Sequence, residues 1–372
     1  MRNEVCPVRN EKCLKKNKII IRRKIANTIA AVLVAALLAG CGGGLYYDSE
    51  DAFPEDDLIT VGFSQVGAES DWREANTASM KETFSIDNGY SLMFSDAQQK
   101  KEKQISAVRN FIQQEVDYIV IAPVTETGWE TVLEEAKEAG IPVIIVDRMV
   151  EADEDLYTAW VGSDFALEGK LACEWLRWFT EKRGIDPSIL HIVDIQGTVG
   201  SSAQIGRSNA LAEASEEYGW DLAAIVQGEY TQTKSKELME ALLKENSEIN
   251  VVYCENDNEA FGALEAIESA GKKAGVHPEN GEVLVISFDA TMRGLTCVLN
   301  GKIAVDAECN PLHGPRVREI IEMLEEGQSV PKKTYVSEDI FSCVEDVDSL
   351  NTQDGSHDVT TVTQELIDSR AY

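Results

Sequence analysis

Tyr118-Ile119-Val120-Ile121-Ala122 and Val143-Ile144-Ile145-Val146 are short apolar runs with strand composition, and Gly128 to Ala139 between them carries apolar residues at helical spacing. Gly140-Ile141-Pro142 closes that helix, with glycine as the C-terminal cap and proline just beyond it. Strand, helix and strand therefore follow one another within one short stretch. The pattern extends toward the N-terminus. Leu58–Ser64 and Ser91–Ser95 read as strands, and Trp72–Ile86 and Gln99–Gln114 as helices, the latter with Ile105, Val108, Phe111 and Ile112 on one face. Regular alternation of this kind predicts an α/β fold built on a doubly wound parallel sheet.

A second series follows the polar segment Glu151–Asp155. It reads as strand Tyr157–Gly162, helix Phe165–Arg183, strand Leu190–Ile195, helix Gln204–Tyr218, strand Leu222–Gln227, helix Lys234–Glu245, strand Asn250–Tyr253, helix Asn258–Ala270 and strand Val283–Ser287. Two similar α/β halves result. Helix Met292–Asn300, strand Ile303–Asp306 and helix Pro311–Glu326 are too many elements for the second sheet alone, so some are expected to return to the first.

The chain has 372 residues, 44% of them apolar, and a net charge of −31, enough for two domains with their own cores. Residues 1–40 hold nine basic and two acidic side chains, a balance of +7, which leaves −38 on the remainder. That acidic remainder has no basic cluster and disfavours nucleic acid as a partner. The basic block is followed by the apolar stretch Ile25–Leu38, too short for a stable membrane span, so residues 1–40 read as an export signal. Leu38-Ala39-Gly40-Cys41 resembles the lipobox of bacterial lipoproteins, which implies an acylated Cys41 as the first mature residue. A plain signal peptide or an uncleaved anchor is the alternative. Gly42, Gly43, Gly44 and the acidic run to Asp57 read as a solvated tether over residues 41–57. Cys173, Cys254, Cys297, Cys309 and Cys343 are odd in number and form no C-x-x-C pair, and the four histidines stand apart. Neither a disulfide framework nor a metal site is indicated, and no cofactor is implied.

In open parallel sheets, ligands bind beyond the carboxyl ends of the strands. Polar residues stand at those places: Gln65 to Arg73, Asp147-Arg148, Asn256-Asp257 and Asp289. Each alone would be a helix cap or a loop charge. Together, across a cleft, they offer acceptors in Glu69, Asp147 and Asp289, donors in Arg73, Arg148 and Arg207, both in Asn256, and flat faces in Trp72 and Tyr230. The mixture suits a neutral polyhydroxylated ligand, whose hydroxyls donate to carboxylates and accept from guanidinium groups while its C–H face packs on a ring. Gly197-Thr198-Val199-Gly200 lacks the lysine of a phosphate loop.

Val61-Gly62-Phe63-Ser64-Gln65-Val66-Gly67-Ala68-Glu69-Ser70-Asp71-Trp72-Arg73, Asp96-Ala97-Gln98-Gln99-Lys100, Ile121-Ala122-Pro123-Val124, Gly128-Trp129, Asp147-Arg148, Glu168-Gly169-Lys170 and Gln196-Gly197-Thr198-Val199-Gly200 resemble the sugar-binding proteins of bacterial ABC importers. The likeness runs from Leu58 to about Tyr335 and is greatest to the galactofuranose-binding branch. It implies the type I periplasmic-binding-protein fold, with two Rossmann-like domains joined by three hinge crossovers near Ser163, Cys309 and Lys333. The implied lobes are 58–163 plus 310–336 and 164–309 plus 337–372. The resemblance places sugar contacts on Glu69, Trp72, Arg73, Asp147, Arg148, Arg207, Asn256 and Asp289, and an aromatic stacker at Tyr230. Some relatives set Gln or Asn against the sugar at one of these crossovers, where this chain has Cys309 flanked by Glu308 and Asn310. Glu345–Asp358 departs from the family and reads as a disordered surface insertion.

The leading expectation is a non-enzymatic, lipid-anchored, extracytoplasmic monomer that captures a monosaccharide and delivers it to an ABC permease. A sensor kinase or chemoreceptor is an alternative partner. A sugar-responsive regulator would need a helix-turn-helix where residues 1–57 supply an export signal. An exported enzyme could use Asp147 and Asp289 as acid and base, but no nucleophile elbow or metal motif accompanies them.

Overall fold

The structure is a computed structural model that describes residues 58–353 and 355–372; the signal segment, Cys41 and the tether lie outside the described residues. The first lobe opens with β1 (Ile59–Gln65), α1 (Asp71–Thr83), β2 (Tyr90–Asp96), α2 (Lys101–Gln113), β3 (Tyr118–Ile121), α3 (Glu130–Glu138), β4 (Val143–Val146) and β5 (Ala159–Gly162). The chain then crosses to α4 (Phe165–Arg183), β6 (His191–Gln196), α5 (Ser202–Tyr218), β7 (Asp221–Gln227), α6 (Gln232–Glu245), β8 (Val251–Cys254), α7 (Asp257–Ser269), β9 (Leu284–Asp289), α8 (Met292–Leu299) and β10 (Val305–Glu308). It returns for α9 (His313–Glu325) and β11 (Lys333–Tyr335). It ends in the second lobe with β12 (Ile340–Ser342), β13 (Ser349–Thr352), β14 (Gly355–Thr361) and α10 (Gln364–Ser369).

The first sheet has the order β2-β1-β3-β4-β5-β11, and all its pairs are parallel. The second repeats the scheme as β7-β6-β8-β9-β10 and then adds β12, β14 and β13 at the far edge. In each sheet the order reverses beside the first strand, at β1/β3 and at β6/β8. That reversal opens a crevice at the carboxyl ends where neighbouring loops diverge. The chain passes between the sheets at 163–164, 309–312 and 336–339, the last just past the strand that contains Lys333.

Why these runs become central strands is visible in their burial. Tyr118–Ile121, Val143–Val146 and Val251–Cys254 are buried at every position, as expected of strands covered by helices on both faces. Edge strand β7 alternates exposed and half-buried residues instead. Along β8, Val251 and Tyr253 pack toward α4 and α5, while Val252 and Cys254 pack toward α6 and α7, because successive side chains leave opposite faces. Helix α9 belongs to the first lobe through Val317, Ile320 and Ile321, which complete the core under β1 and β3.

Two expectations are corrected. The alternation pattern groups Tyr157–Gly162 with the second series, whereas the implied lobe 58–163 keeps it in the first; β5 pairs in parallel with β4 and β11, in the first sheet. Strand spacing is the same on either side of a crossover, so periodicity alone does not mark the change of lobe. Glu345–Asp358 is not a disordered insertion: β13 and β14 form an antiparallel ribbon, and β14 pairs with β12. Val347 and Leu350 are buried against the core that contains Trp175. Two apolar anchors among acidic residues suffice when the backbone is paired to a sheet edge.

Candidate functional site between the lobes

Strand ends and helix starts from both lobes converge on one cavity. Its lining includes Glu69, Trp72, Arg73, Asp147 and Arg148 from the first lobe, Arg207, Tyr230, Asn256 and Asp289 from the second, and Cys309 from the second crossover. All nine residues expected from the sequence are thereby brought together. Phe165, Ala203 and Ser70 also line the cavity and were not anticipated. Ser70 is the N-cap of α1, accepting from the Arg73 amide at 3.2 Å, so capping and lining coincide in one residue. Phe165 and Ala203 stand in the first turns of helices just after a crossover and a strand, where an apolar residue reads as ordinary core.

The first-lobe half is a compensated set of charges. Arg73 Nε donates to Glu69 Oε1 at 3.0 Å, and its Nη1 lies 2.8 Å from Asp147 Oδ2. Arg148 donates from Nη1 to the Val124 carbonyl at 3.0 Å, and its guanidinium stands 3.9 Å from Asp147 and 4.0 Å from Glu69. Burial raises the pKa of the Asp147 carboxyl, but Arg73 and Arg148 outweigh it and hold the group below the usual range. Burial likewise opposes the charge on Arg73, and Asp147 and Glu69 overcome it. Glu69 Oε2 is buried without a hydrogen-bond partner among the described residues, an acceptor open to a ligand hydroxyl.

The second-lobe half rests on one guanidinium. Arg207 donates to Glu168 Oε2 from Nε at 2.8 Å and from Nη2 at 2.7 Å, reaches the Glu255 carbonyl through Nη1, and stands 3.8 Å from Asp289. Two carboxyls thus share one cation. Burial pushes Asp289 well above the carboxylate range, with Arg207 offsetting only part of it. Burial also raises Glu168 to about 7 against the pull of Arg207.

Aromatic faces complete the cavity. Arg73 stacks over Trp72 at 4.5 Å and Arg148 over Tyr230 at 5.1 Å, which ties each ring to a guanidinium. Trp72 Nε1 donates to the Cys309 carbonyl. Gly197 is needed beneath Tyr230, because a Cβ there would lie 1.8 Å from its ring. Asn256 also caps α7, accepting from the Glu259 amide at 2.8 Å, so only part of its side-chain amide is free to meet a ligand.

The backbone is strained at the same residues. Asp147, Tyr230 and Asp289 have φ of 62°, 61° and 105°. Left-handed backbone in non-glycine residues costs about 1–3 kcal/mol each and persists where surrounding contacts impose it. Here it turns each strand end sharply into the cavity. The lobes also meet across the cleft: Glu126 N donates to Gly200 O at 3.0 Å, Met149 N to Ser202 Oγ at 2.9 Å, and Asp71 N to Asn258 Oδ1 at 3.0 Å. The arrangement is closed, with every lining guanidinium and carboxylate side chain no more than 6% exposed.

Cys309 Sγ lies 3.3 Å from Ser163 Oγ, and its thiol approaches one carboxyl oxygen each of Glu168 and Glu338 within 4.8 Å. Sequence spacing gave no sign of that cluster. Its carboxyls already have protein partners, Arg207 for Glu168 and Ser163 with the Asn310 amide for Glu338. All five described cysteines are free thiols. Among the described residues, no helix is long and apolar enough to cross a membrane.

Comparison with known proteins agrees with the two-sheet α/β fold. Residues 61–307 match a family described as periplasmic binding protein domain. The chain is 38% identical over 280 residues to the galactofuranose-binding protein YtfQ of Escherichia coli K12, covering 74% of this chain and 85% of that protein. A Mycobacterium smegmatis protein solved in complex with β-D-fucofuranose superposes with a TM-score of 0.72 at 40% identity, over 77% of this chain and 92% of the other. The binding component of the arabinose ABC transporter of Shewanella sp. ANA-3, bound to α- and β-L-arabinofuranose, gives 0.70 at 37% identity, over 76% and 92%.

Proposed function

This chain belongs to the periplasmic binding protein family, and we propose that it captures a monosaccharide in furanose form and hands it to an ABC permease. The family places it among sugar-binding proteins of ABC importers rather than among enzymes. The observation that carries the sugar reading is the cleft itself, and the furanose form rests on the relatives. Guanidinium and carboxyl groups from both lobes are each compensated within their own half, so the cavity favours a neutral ligand rich in hydroxyls. Three relatives above one-third identity are named for, or were solved with, galactofuranose, fucofuranose and arabinofuranose. The contacts assigned to the sugar are Glu69, Trp72, Arg73, Asp147, Arg148, Arg207, Tyr230, Asn256 and Asp289. Cys309, beside Trp72, adds a small apolar surface at the crossover.

The lobes 58–163 plus 310–336 and 164–309 plus 337–372 close on the sugar by bending at the crossovers. A ligand that bridges both lobes stabilises only the closed state, which is the form a permease would accept. The protein works as a monomer outside the cytoplasm, held to the membrane by a lipid on Cys41. The tether keeps it near its transporter at raised effective concentration.

Calorimetric titration against galactofuranose, fucofuranose, arabinofuranose and the matching pyranoses tests the reading. Tight binding of one or two furanoses, abolished by Arg148→Ala, is expected. Tight binding of a pyranose only, or binding indifferent to Arg148 and Asp147, overturns it. Mass spectrometry of the mature N-terminus tests the anchor, which fails if Cys41 carries no acyl chain.

A further inference from the structure

Behind the Asp289 contact lies a pair of buried acids. Asp257, the first residue of α7, and Asp306, in β10, are both 0% exposed. Asp257 is fully engaged as an acceptor: Oδ1 takes the Ser287 hydroxyl at 2.7 Å, and Oδ2 takes the Thr291 amide at 2.9 Å and its hydroxyl at 2.6 Å. Asp306 Oδ1 takes the Ala290 amide at 3.1 Å, whereas its Oδ2 is buried with no donor facing it among the described residues. The two acids hold the consecutive Ala290 and Thr291 amides and are hydrogen-bonded to one another, and a buried carboxyl oxygen lacking any other donor is accounted for when it carries the proton itself.

Together the two acids grip consecutive amides of the turn that follows β9. That turn contains Asp289 and Ala290, at φ of 105° and 52°, two successive non-glycine residues in left-handed backbone. Such a turn holds only if its amides are pinned. The packing leaves no slack around the pin, since a Cβ at Gly294 would come within 2.1 Å of Asp257 Oδ2.

We propose that Asp257 and Asp306 share one proton, with Asp306 as the donor, and that this hydrogen-bonded pair is a positioning device that aims the Asp289 carboxyl into the sugar cavity. The pair acts through Asp289, so this inference rests on the sugar-site reading above. Burial, with Asp257 and Asp289 adding to it, raises Asp306 in the same direction. Asp257 is raised by burial and held back by the Thr291, Asp306 and Ser287 hydrogen bonds, which leaves it as the acceptor.

Asp306→Asn keeps an acceptor for the Ala290 amide and a donor toward Asp257, whereas Asp306→Leu keeps neither. Wild type and both variants would be titrated with arabinofuranose and galactofuranose, with folding checked by circular dichroism. The expected result is affinity within about threefold of wild type for Asn, and a loss on the order of tenfold or more for Leu. Equal losses in both variants overturn the shared proton, and no loss in Leu overturns the positioning role. Infrared spectra with 13C-labelled aspartate provide a readout without sugar. The protein should lose one protonated aspartic acid at neutral pH in Asp306→Asn, and an unchanged protonated band refutes the pair. If wild type binds neither sugar, the substrate reading fails while the infrared result still decides the pair.

Discussion

The two halves of the cleft face one ligand with different electrostatics. In the first lobe two guanidiniums, Arg73 and Arg148, stand against two carboxylates, Glu69 and Asp147, and the charges are held. In the second, Arg207 faces both Glu168 and Asp289. Behind them Asp194, Glu255, Asp257, Glu259 and Asp306 are buried as well. Burial raises the pKa of every one of these second-lobe acids. The first half therefore offers charge-assisted hydrogen bonds. The second gathers acids that burial pushes upward, and many of them hold backbone: Glu259 takes the Tyr230 amide at 2.8 Å and Glu255 the Gly197 amide at 2.9 Å. A carboxyl buried without a cation is tolerated when it keeps its proton and pins a turn.

The strongest way to break this contrast is Arg207→Leu. It strips the nearest cation from Glu168 and Asp289, so chemical denaturation should show a loss of about 3–5 kcal/mol, and sugar binding should disappear. A loss below about 1 kcal/mol would mean that both acids are already neutral without Arg207. Arg73→Met is expected to be milder for the fold, because Arg148 remains within 4.0 Å of both Glu69 and Asp147. Stability should fall by about 1–3 kcal/mol, and calorimetry should show affinity reduced by roughly tenfold to a hundredfold. If Arg73→Met costs as much stability as Arg207→Leu, the two halves are not different in kind.

The subtlest test is the pH slope. Asp194 is pushed by burial to about 7 against an ordinary 3.8, despite hydrogen bonds from Gln196 and Ser208. The native state holds this proton where the unfolded chain releases it, so its stabilising contribution is full below about pH 4 and fades as pH rises to 7. Asp147 has the opposite sign: its pKa is lowered, so its contribution is present above the ordinary carboxylate range and is lost on acidification. Denaturant unfolding at pH 4.5 and 7 should show Asp194→Asn removing a decline on the order of 2 kcal/mol. An unchanged pH slope in that variant would place Asp194 with the ionised acids of the first half.

Much of this molecule is readable along the chain. Apolar runs such as Val143–Val146 and Val251–Cys254 have one stable use, as strands covered on both faces, and glycine at 140 marks where a helix must stop. Polar residues just after those runs, Asp147-Arg148 and Asn256 among them, stand where parallel strands end, and the nine expected residues do line one cavity. Phe165 and Ala203 escaped notice because an apolar residue at the start of a helix looks like ordinary core. The ribbon at 349–361 escaped because its stability comes from pairing with β12, not from its own composition. The buried acids were equally hidden: Asp257 and Glu259 in the sequence are indistinguishable from acids of a helix first turn.

The amino-acid sequence by itself determined the alternating α/β elements, the two-lobe scheme and the residue types offered at the strand ends, since these follow from local periodicity and from the geometry of parallel sheets. Only the tertiary structure decided how the edge ribbon at 349–361 is paired, which guanidinium serves which carboxyl, and which acids burial pushes upward. Those outcomes depend on distance and on exclusion of water, and both arise only when segments far apart in the chain are packed together.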